Sequence, residues 1–466
     1  MPDNARRVRA AVPFFGIDGG RDPQAQAARL LDQFIRRNLP VLNLLNVTIT
    51  RDYDGKDVLI VVQSGNAVGA VPLMSPLTAR DDFGLVVQPR FPWAGIGPTL
   101  AEMGWLISPT PLRLPLLKRS ERRVPPWVLS LMILVRIKLL LDKLDRRFEI
   151  VAEETSSPKG AVQWGKYATR HMAFGKFLSV PCVYPDLRDD RRLKGAIRFT
   201  LEKQLQSLET QSGQGSFVHR LISFAEFLLL RVQGCSSLRP NSLELDGWIR
   251  RPLRSDPFLE GLQAIEWTVE ERGLAGTSDL GGIPWTMPME QFFEAWVETV
   301  FKRVARSIGG VLKTGRKRET VSPIHWESQQ TSSLNSLIPD LMMICEDFTV
   351  ILDAKYKRHW EELGEERWIE ERSSFREQHR HDLHQVLAYA NLAQTKSVVA
   401  CLVYPCSTVS WESMLRRKRL FQRGRLSTPE REVHLWLTAL PIGGNGEHIA
   451  APITNELRST LRADTA

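Results

Sequence analysis

Cysteine is scarce and scattered in this chain. The five thiols (Cys182, Cys235, Cys345, Cys401 and Cys406) are odd in number and form no C-x-x-C pair. That excludes a disulfide framework or a zinc ribbon and fits a reducing, cytoplasmic setting. Long apolar runs are missing too. The N-terminal MPDNARRVRAAVPFF lacks the apolar core of a leader, and the most hydrophobic stretch, WVLSLMILVRIKLLLDKL from Trp127, is broken by Arg136, Lys138, Asp142 and Lys143. It reads as a buried helix, and no membrane partner is expected. A phosphate-cradling G-x-x-x-x-G-K-[ST] loop is absent, and AGIGPT at Ala94 lacks the lysine. No Ser-His-Asp elbow, internal repeat or low-complexity tract is found.

What remains is an ordinary soluble composition: 466 residues, 43% hydrophobic and 25% charged. At roughly 150 residues per domain, two or three domains fit. The 62 Lys and Arg outweigh 53 Asp and Glu, for a net charge of +9. Such a surplus favours a polyanionic partner, and its placement decides whether it serves one or only solubility.

The expected fold class is α/β and multi-domain. Up to about residue 110 short extended runs (VLNLLNVTITRDY, DVLIVVQSG, AVGAVPL, FGLVVQPRF) alternate with turn residues, so residues 1–124 are expected to form a β-rich domain. Residues 125–280 carry apolar residues at three- and four-residue spacing and are expected to be a helical middle or linker region. The Gly/Ser/Pro-rich ERGLAGTSDLGGIPWTMP then opens a last domain, 281–466. Its order of helix, strands, helix and strands predicts a mixed sheet flanked by helices.

The chemistry is concentrated in LIPDLMMICEDFTVILDAKYKRHW, from Leu337. LMMIC and FTVILDAKYK predict a hairpin turning at Glu346 and Asp347, with Asp340 at the start of the first strand. Asp353 and Lys355 lie two residues apart on the second strand and so share a face. The neighbouring Val350, Ile351 and Leu352 predict a buried strand, where charge must be paired or bound to metal. Oxygen donors of this kind suit Mg²⁺, or Mn²⁺ as the alternative, held by Asp340, Asp353 and the Ala354 carbonyl, while Lys355 orients or deprotonates water.

Pro339-Asp340 followed, after twelve residues, by Asp353-Ala354-Lys355 resembles the PD-(D/E)XK nuclease superfamily. The resemblance implies a third acidic ligand from the preceding helix, PMEQFFEAWVETVFKRVA. Of Glu290, Glu294 and Glu298, the FE-x-W context picks Glu294, and solvated positions are expected for the other two. Downstream, HDLHQVLAYANLA places Asp382, Gln385 and Tyr389 on one helix face. It resembles the Q-x-x-x-Y element of the RecB-like branch, which implies that Gln385 orients the catalytic carboxylate and lysine. SVVACLVYP and HLWLTALPI predict the remaining strands.

Within that superfamily FFEAW, PDLMM, VILDAKYK and D-L-x-Q-x-x-x-Y-A resemble McrC-type restriction subunits most. FGLVVQPRFPWAGIGPTLAEMGW and KGAVQWGKYATRHMAFGKFLSVPCVYPDLRDD extend the likeness upstream, so about two thirds of the chain is covered, but only the last third by specific motifs. The family implication is a Mg²⁺-dependent endonuclease subunit that docks on a hexameric AAA+ GTPase or ATPase of the McrB type, with the β-rich domain 1–124 as the candidate docking part, stimulates its hydrolysis and cuts double-stranded DNA. Base recognition in that family lies with the motor.

Two basic clusters fall in the last domain: Lys313, Arg316, Lys317 and Arg318, and then Arg416, Arg417, Lys418 and Arg419. Both are candidates for phosphate contacts, with a solvated loop as the alternative. HRHDLH from His379 does not present three imidazoles on one helix face and is not expected to bind metal. Two rival functions stay open, an adaptor that stimulates a motor with little or no cleavage and a stand-alone repair or transposition nuclease.

Overall fold

The computed structural model of the chain describes residues 1–17, 19, 22–117, 124–144, 147–188, 190–250, 255–274, 282–326, 334–357, 372–395, 397–427 and 432–464. The charged gap that follows Lys357 and the Gly-rich stretch before Gly282 lie largely outside these residues. The architecture is mixed α/β with several sheets. The chain forms two compact units where the sequence suggests three segments. Residues 1–126 share one unit with 273–466 and with Gln214–Phe217, and the rest of 127–272 forms the other.

In the first unit β1 (Arg6–Ala10), β2 (Val47–Asp54) and β3 (Asp57–Ser64) make an antiparallel sheet in the order β1-β3-β2. Helix α1 (Pro23–Asn43) covers it with Ala27, Leu31, Phe34 and Leu42, which pack on Val47, Ile49, Val58 and Ile60. Asp22 accepts from the Ala25 N–H at 3.0 Å and Pro23 sits in the first turn, so the helix start is capped twice over. The run VLNLLN, expected to be extended, instead closes this helix up to Asn43 and continues in a turn. Apolar residues at helical spacing upstream outweigh the local signal of Pro40.

Strand β4 (Ala67–Leu73) is wholly buried and pairs with β5 (Phe83–Val87); helix α2 (Trp93–Glu102) follows. On its other side β4 pairs with β6 (Trp285–Pro288), a strand 212 or more residues away in sequence at the entrance to the last segment. This pairing fuses the two ends of the chain, which is why the expected boundary near residue 281 does not separate two bodies. The fit is close. A Cβ on Gly69 would lie 2.1 Å from the Trp285 carbonyl oxygen, so only glycine lets the strands meet.

Helix α3 (Met289–Ile308) leaves β6 directly and ends at Gly309, whose φ of +77° gives the left-handed stop. Its stripe of Phe292, Phe293, Trp296, Val297, Val300, Phe301 and Val304 is buried, and the Trp296 indole N–H donates to the Pro441 carbonyl at 2.9 Å. Among the described residues the sheet beneath it has six strands. They are β7 (Val311–Thr314), β8 (Leu341–Ile344), β9 (Phe348–Ala354), β10 (Ser397–Cys406), β11 (Gln422–Ser427) and β12 (Glu432–Pro441), in the order β7-β8-β9-β10-β12-β11. The pairs β7-β8, β8-β9 and β11-β12 are antiparallel, and β9-β10 and β10-β12 are parallel. Helix α4 (Arg372–Ala390) makes the crossover from β9 to β10, helix α5 (Thr408–Arg416) follows β10, and α6 (Gly446–Asp464) packs on α3.

The second unit is built on helix Trp127–Asp142, which is buried almost all round and packs on helices Arg191–Glu209 and Asp256–Val269. A buried polar ladder crosses these helices: Ser130 Oγ donates to Gln204 Oε1 at 2.9 Å, and Gln204 Nε2 donates to Thr268 Oγ1 at 3.1 Å. No described helix is long and apolar enough to cross a membrane. The middle region is not helical throughout. Strands Arg147–Thr155, Ala161–Val162 and Val180–Arg188 form an antiparallel sheet where a linker was expected. Charged residues on both edges of these strands weaken the alternation by which a strand is recognised.

Gly69→Ala is expected to cost about 1–3 kcal/mol or more by prising β4 from β6. Urea unfolding of the two proteins checks this, and equal midpoints and slopes would contradict the pairing.

Candidate active site

The β8-β9 hairpin forms as the sequence predicts, with Leu341 opposite Leu352 and the Cys345 N–H closing the turn on the Phe348 carbonyl at 2.9 Å. Strand β9 ends at Ala354, shorter than expected, and the Lys355 N–H makes the last ladder bond, to the Val403 carbonyl at 2.8 Å. Asp340 stands one residue before β8. Its Oδ2 accepts from the Ala354 N–H at 2.8 Å, so the first aspartate is fastened to the end of the strand that carries the second.

Asp353 is 1% exposed. Lys355 Nζ lies 2.8 Å from Asp353 Oδ2 and donates to Gln385 Oε1 at 3.0 Å. Because an ammonium only donates, the Gln385 amide must turn its oxygen to Lys355, and its Nε2 then donates to Tyr389 Oη at 2.9 Å. Lys355, Gln385 and Tyr389 thus form one chain from β9 to two successive turns of α4. Lys357 adds a second tie to the same helix, donating to Asp382 Oδ1 at 2.7 Å and Oδ2 at 2.8 Å. The sequence places Asp382 on this face but gives no sign of Lys357 as its partner.

Burial pushes the Asp340 carboxyl well above the usual range, and the charges of Asp353 and Glu294 push it further. Burial also raises Asp353, against the pull of Lys355. Glu294, half-buried on α3, is raised to about 7 by burial and then by Glu290 and Asp353. Burial works against the Lys355 ammonium, but the neighbouring carboxylates outweigh it and raise the group. The site is a cluster of acids under electrostatic strain around one firmly charged lysine.

Asp353 Oδ2 is buried with the Lys355 charge beside it but no aligned hydrogen bond. A buried carboxylate beside a second carboxylate, with a single ammonium beside them, fits a hard divalent cation. Asp340 and Asp353 are the residues that would hold it. The three-carboxylate set expected with Glu294 is not assembled: among the described residues no three His, Cys, Asp or Glu side chains are grouped to hold a metal ion. Glu294 acts on the aspartates through its charge. Helical spacing decides the face a residue takes, not how far its carboxylate reaches across to a sheet.

Glu298 departs from expectation. It is buried, 7% exposed, and its Oε2 accepts from Arg316 Nη2 at 2.7 Å and Nε at 3.1 Å. Arg316 is therefore committed to α3, which corrects its reading as a free phosphate contact. Glu290 is exposed as expected and accepts from Asn66 Nδ2 at 2.6 Å. Lys313, Lys317 and Arg318 are exposed beside the site, since the Gly315 N–H donates to the Asp340 carbonyl at 2.8 Å. Arg416, Arg417, Lys418 and Arg419 are also exposed, but they precede β11 at the opposite edge of the sheet. His379 Nδ1 lies 3.2 Å from Tyr404 Oη, a local contact within the fold.

Comparison with known proteins gives a class first. Residues 275–405 match the family model described as McrBC 5-methylcytosine restriction system component. That segment holds Glu294, the hairpin, Lys355 and Gln385. Among solved structures the chain is similar to the Thermococcus gammatolerans McrB AAA+ hexamers with bound McrC, refined as a half-complex from a tetradecameric assembly. Identity is 13%, over 98% of this chain and 99% of that one, with a TM-score of 0.40. The McrBC complex of the same organism is similar at 12% identity over 65% of this chain and 87% of that one, with a TM-score of 0.27. No curated protein matches the chain.

The raised Glu294 carboxyl sets a sign for stability. Its folded form keeps its proton from the usual 4.5 up to about 7, while the unfolded form has lost it. Stability contributed below pH 4.5 is therefore lost as pH rises through 7. In EDTA, Glu294→Gln is expected to narrow the fall in Tm between pH 5 and pH 8, and an unchanged fall would contradict the burial of this charge.

Proposed function

We propose that this chain is the McrC-type subunit of an McrBC-like restriction system. It is a Mg²⁺-dependent DNA endonuclease of the PD-(D/E)XK type that works with an AAA+ NTPase of the McrB type. The observation that carries the reading is the convergence of Asp340, Asp353, Lys355 and Gln385 from a hairpin and its crossover helix. The matched McrBC segment supports it.

A bound divalent ion would supply Lewis-acid stabilisation of the phosphate and a more acidic water. The residues do the rest. Asp340 and Asp353 would hold the cation, and the Ala354 N–H keeps Asp340 fastened to the end of β9. Lys355, set against Asp353 and Gln385, would orient or deprotonate water and offset charge developing on the phosphate. Gln385 and Tyr389 fix the ammonium's position. Lys313, Lys317 and Arg318, next to Asp340, supply sequence-independent attraction for the DNA backbone.

The adaptor reading has one observation in its favour. In the second unit, the segment between strands Ala161–Val162 and Val180–Arg188 exposes Trp164, Phe174 (76%), Phe177 and Leu178 (82%) to solvent. Exposed apolar residues gathered in this way mark a protein-contact surface, and an AAA+ partner is the occupant the family implies. Docking and cleavage then belong to separate units of the chain.

With the cognate motor present, Asp353→Ala and Lys355→Ala are each expected to abolish DNA cleavage, by about 10³-fold or more, while leaving stimulation of NTP hydrolysis unchanged. Cleavage by Asp353→Ala at the wild-type rate would refute the site. Wild-type stimulation without any cleavage would establish the adaptor. Lys317→Glu with Arg318→Glu is expected to weaken DNA binding equally across sequences and to lower the slope of log K against log salt by about 1 per charge removed. Filter binding over a salt series measures this, and an unchanged slope would remove these residues from the interface.

A further inference from the structure

Lys355 and Lys357 turn toward the site and α4, while Tyr356 between them points the other way, 4% exposed. The Tyr356 ring lies against Arg90, with the guanidinium carbon 4.3 Å from its centroid, and against Phe91 and Phe293, each at 6.3 Å between centroids. Arg90 Nη2 also donates to the Lys357 carbonyl at 3.0 Å. The Arg90 N–H is in turn held at 2.5 Å by Oδ1 of Asp3, a wholly buried carboxylate whose own N–H donates to the Gln88 carbonyl at 2.8 Å. A residue from the QPRF segment therefore grips the backbone immediately after the lysine of the site, from the face opposite the chemistry. Phe293, the neighbour of Glu294 on α3, rests on the same ring.

Arg90, Asp3 and Tyr356 form one buried polar group: the Asp3 and Arg90 charges face each other and the Tyr356 hydroxyl sits with both, while burial raises the Asp3 carboxyl and the Tyr356 phenol. Desolvation offsets much of the attraction in a buried pair of this kind, so stability alone is a weak reason for it. What it contributes is a fixed backbone at Tyr356 and Lys357, and with it the direction in which Lys355 leaves β9.

We infer that Arg90, anchored by Asp3, is a positioning residue. By stacking on Tyr356 and binding the Lys357 carbonyl it holds the Lys355–Lys357 turn, so that the Lys355 ammonium stays set against Asp353 and Gln385. Its effect on cleavage rests on the nuclease reading above, while its effect on the turn does not.

The test uses the full chain with Arg90→Met, Arg90→Lys and the double variant Asp3→Asn with Arg90→Met, which keeps an acceptor for the residue 90 N–H and leaves no buried lone charge. Two quantities are read: amide hydrogen exchange of residues 353–357 in the metal-free chain, and steady-state cleavage of plasmid DNA with Mg²⁺ and the AAA+ partner. The expected result is lost protection at 353–357 in both methionine variants, with the exchange of β10 and β12 unchanged. In the same variants kcat should fall about 10–100-fold, KM for DNA and stimulation of the partner should be unchanged, and Arg90→Lys should recover part of the rate. Unchanged exchange at 353–357 in the double variant overturns the proposal, as does wild-type kcat in either methionine variant. Should the wild-type chain fail to cut, the nuclease reading falls, and the exchange result alone decides whether Arg90 holds the turn.

Discussion

The last segment is organised around one buried carboxylate. Asp353 lies inside a parallel pairing of strands, where an isolated charge would be neutralised or expelled, and Lys355 two residues on supplies the compensating ammonium. Asp340 then enters from the neighbouring strand and is tied to Ala354. Burial raises the carboxyls of Asp340, Asp353 and Glu294, and the mutual repulsion of the acids adds to it at Asp340 and Glu294. A divalent cation is the chemistry that relieves such repulsion.

The surrounding elements limit how far this cluster can relax. Gln385 has no choice of amide orientation once Lys355 is charged, Tyr389 backs Gln385, and Lys357 and Asp382 repeat the strand-to-helix tie one turn away. Glu298 and Arg316 do the same on the α3 side, linking that helix to the basic turn beside Asp340. These pairs hold the cluster's geometry from the strand and from both helices.

The hairpin and its charged residues were legible in the sequence because strand geometry turns a two-residue spacing into a shared face, and helical spacing did the same for Gln385 and Tyr389. Pairings between distant segments were not legible. Nothing local to PWTMP shows that it pairs with Ala67–Leu73, which joins the first and last segments in one compact unit. Arg316 looked like a phosphate ligand because a basic run carries no mark of which member is already paired. Glu298 looked solvated because its position beside the apolar stripe of α3 does not reveal a guanidinium from the next turn. Arg90 and Asp3 gave no signal either, since their partner is a ring more than 260 residues on.

The central claim is that Asp340 and Asp353 share one hard cation. Calorimetric titration of Mn²⁺ into the metal-free full chain tests it most directly, with Asp340→Asn and Asp353→Asn as comparisons. The account predicts a single site in the wild-type chain that is lost in both variants while their folds persist. Equal Mn²⁺ binding by wild type and variants, or no binding by wild type, would contradict it.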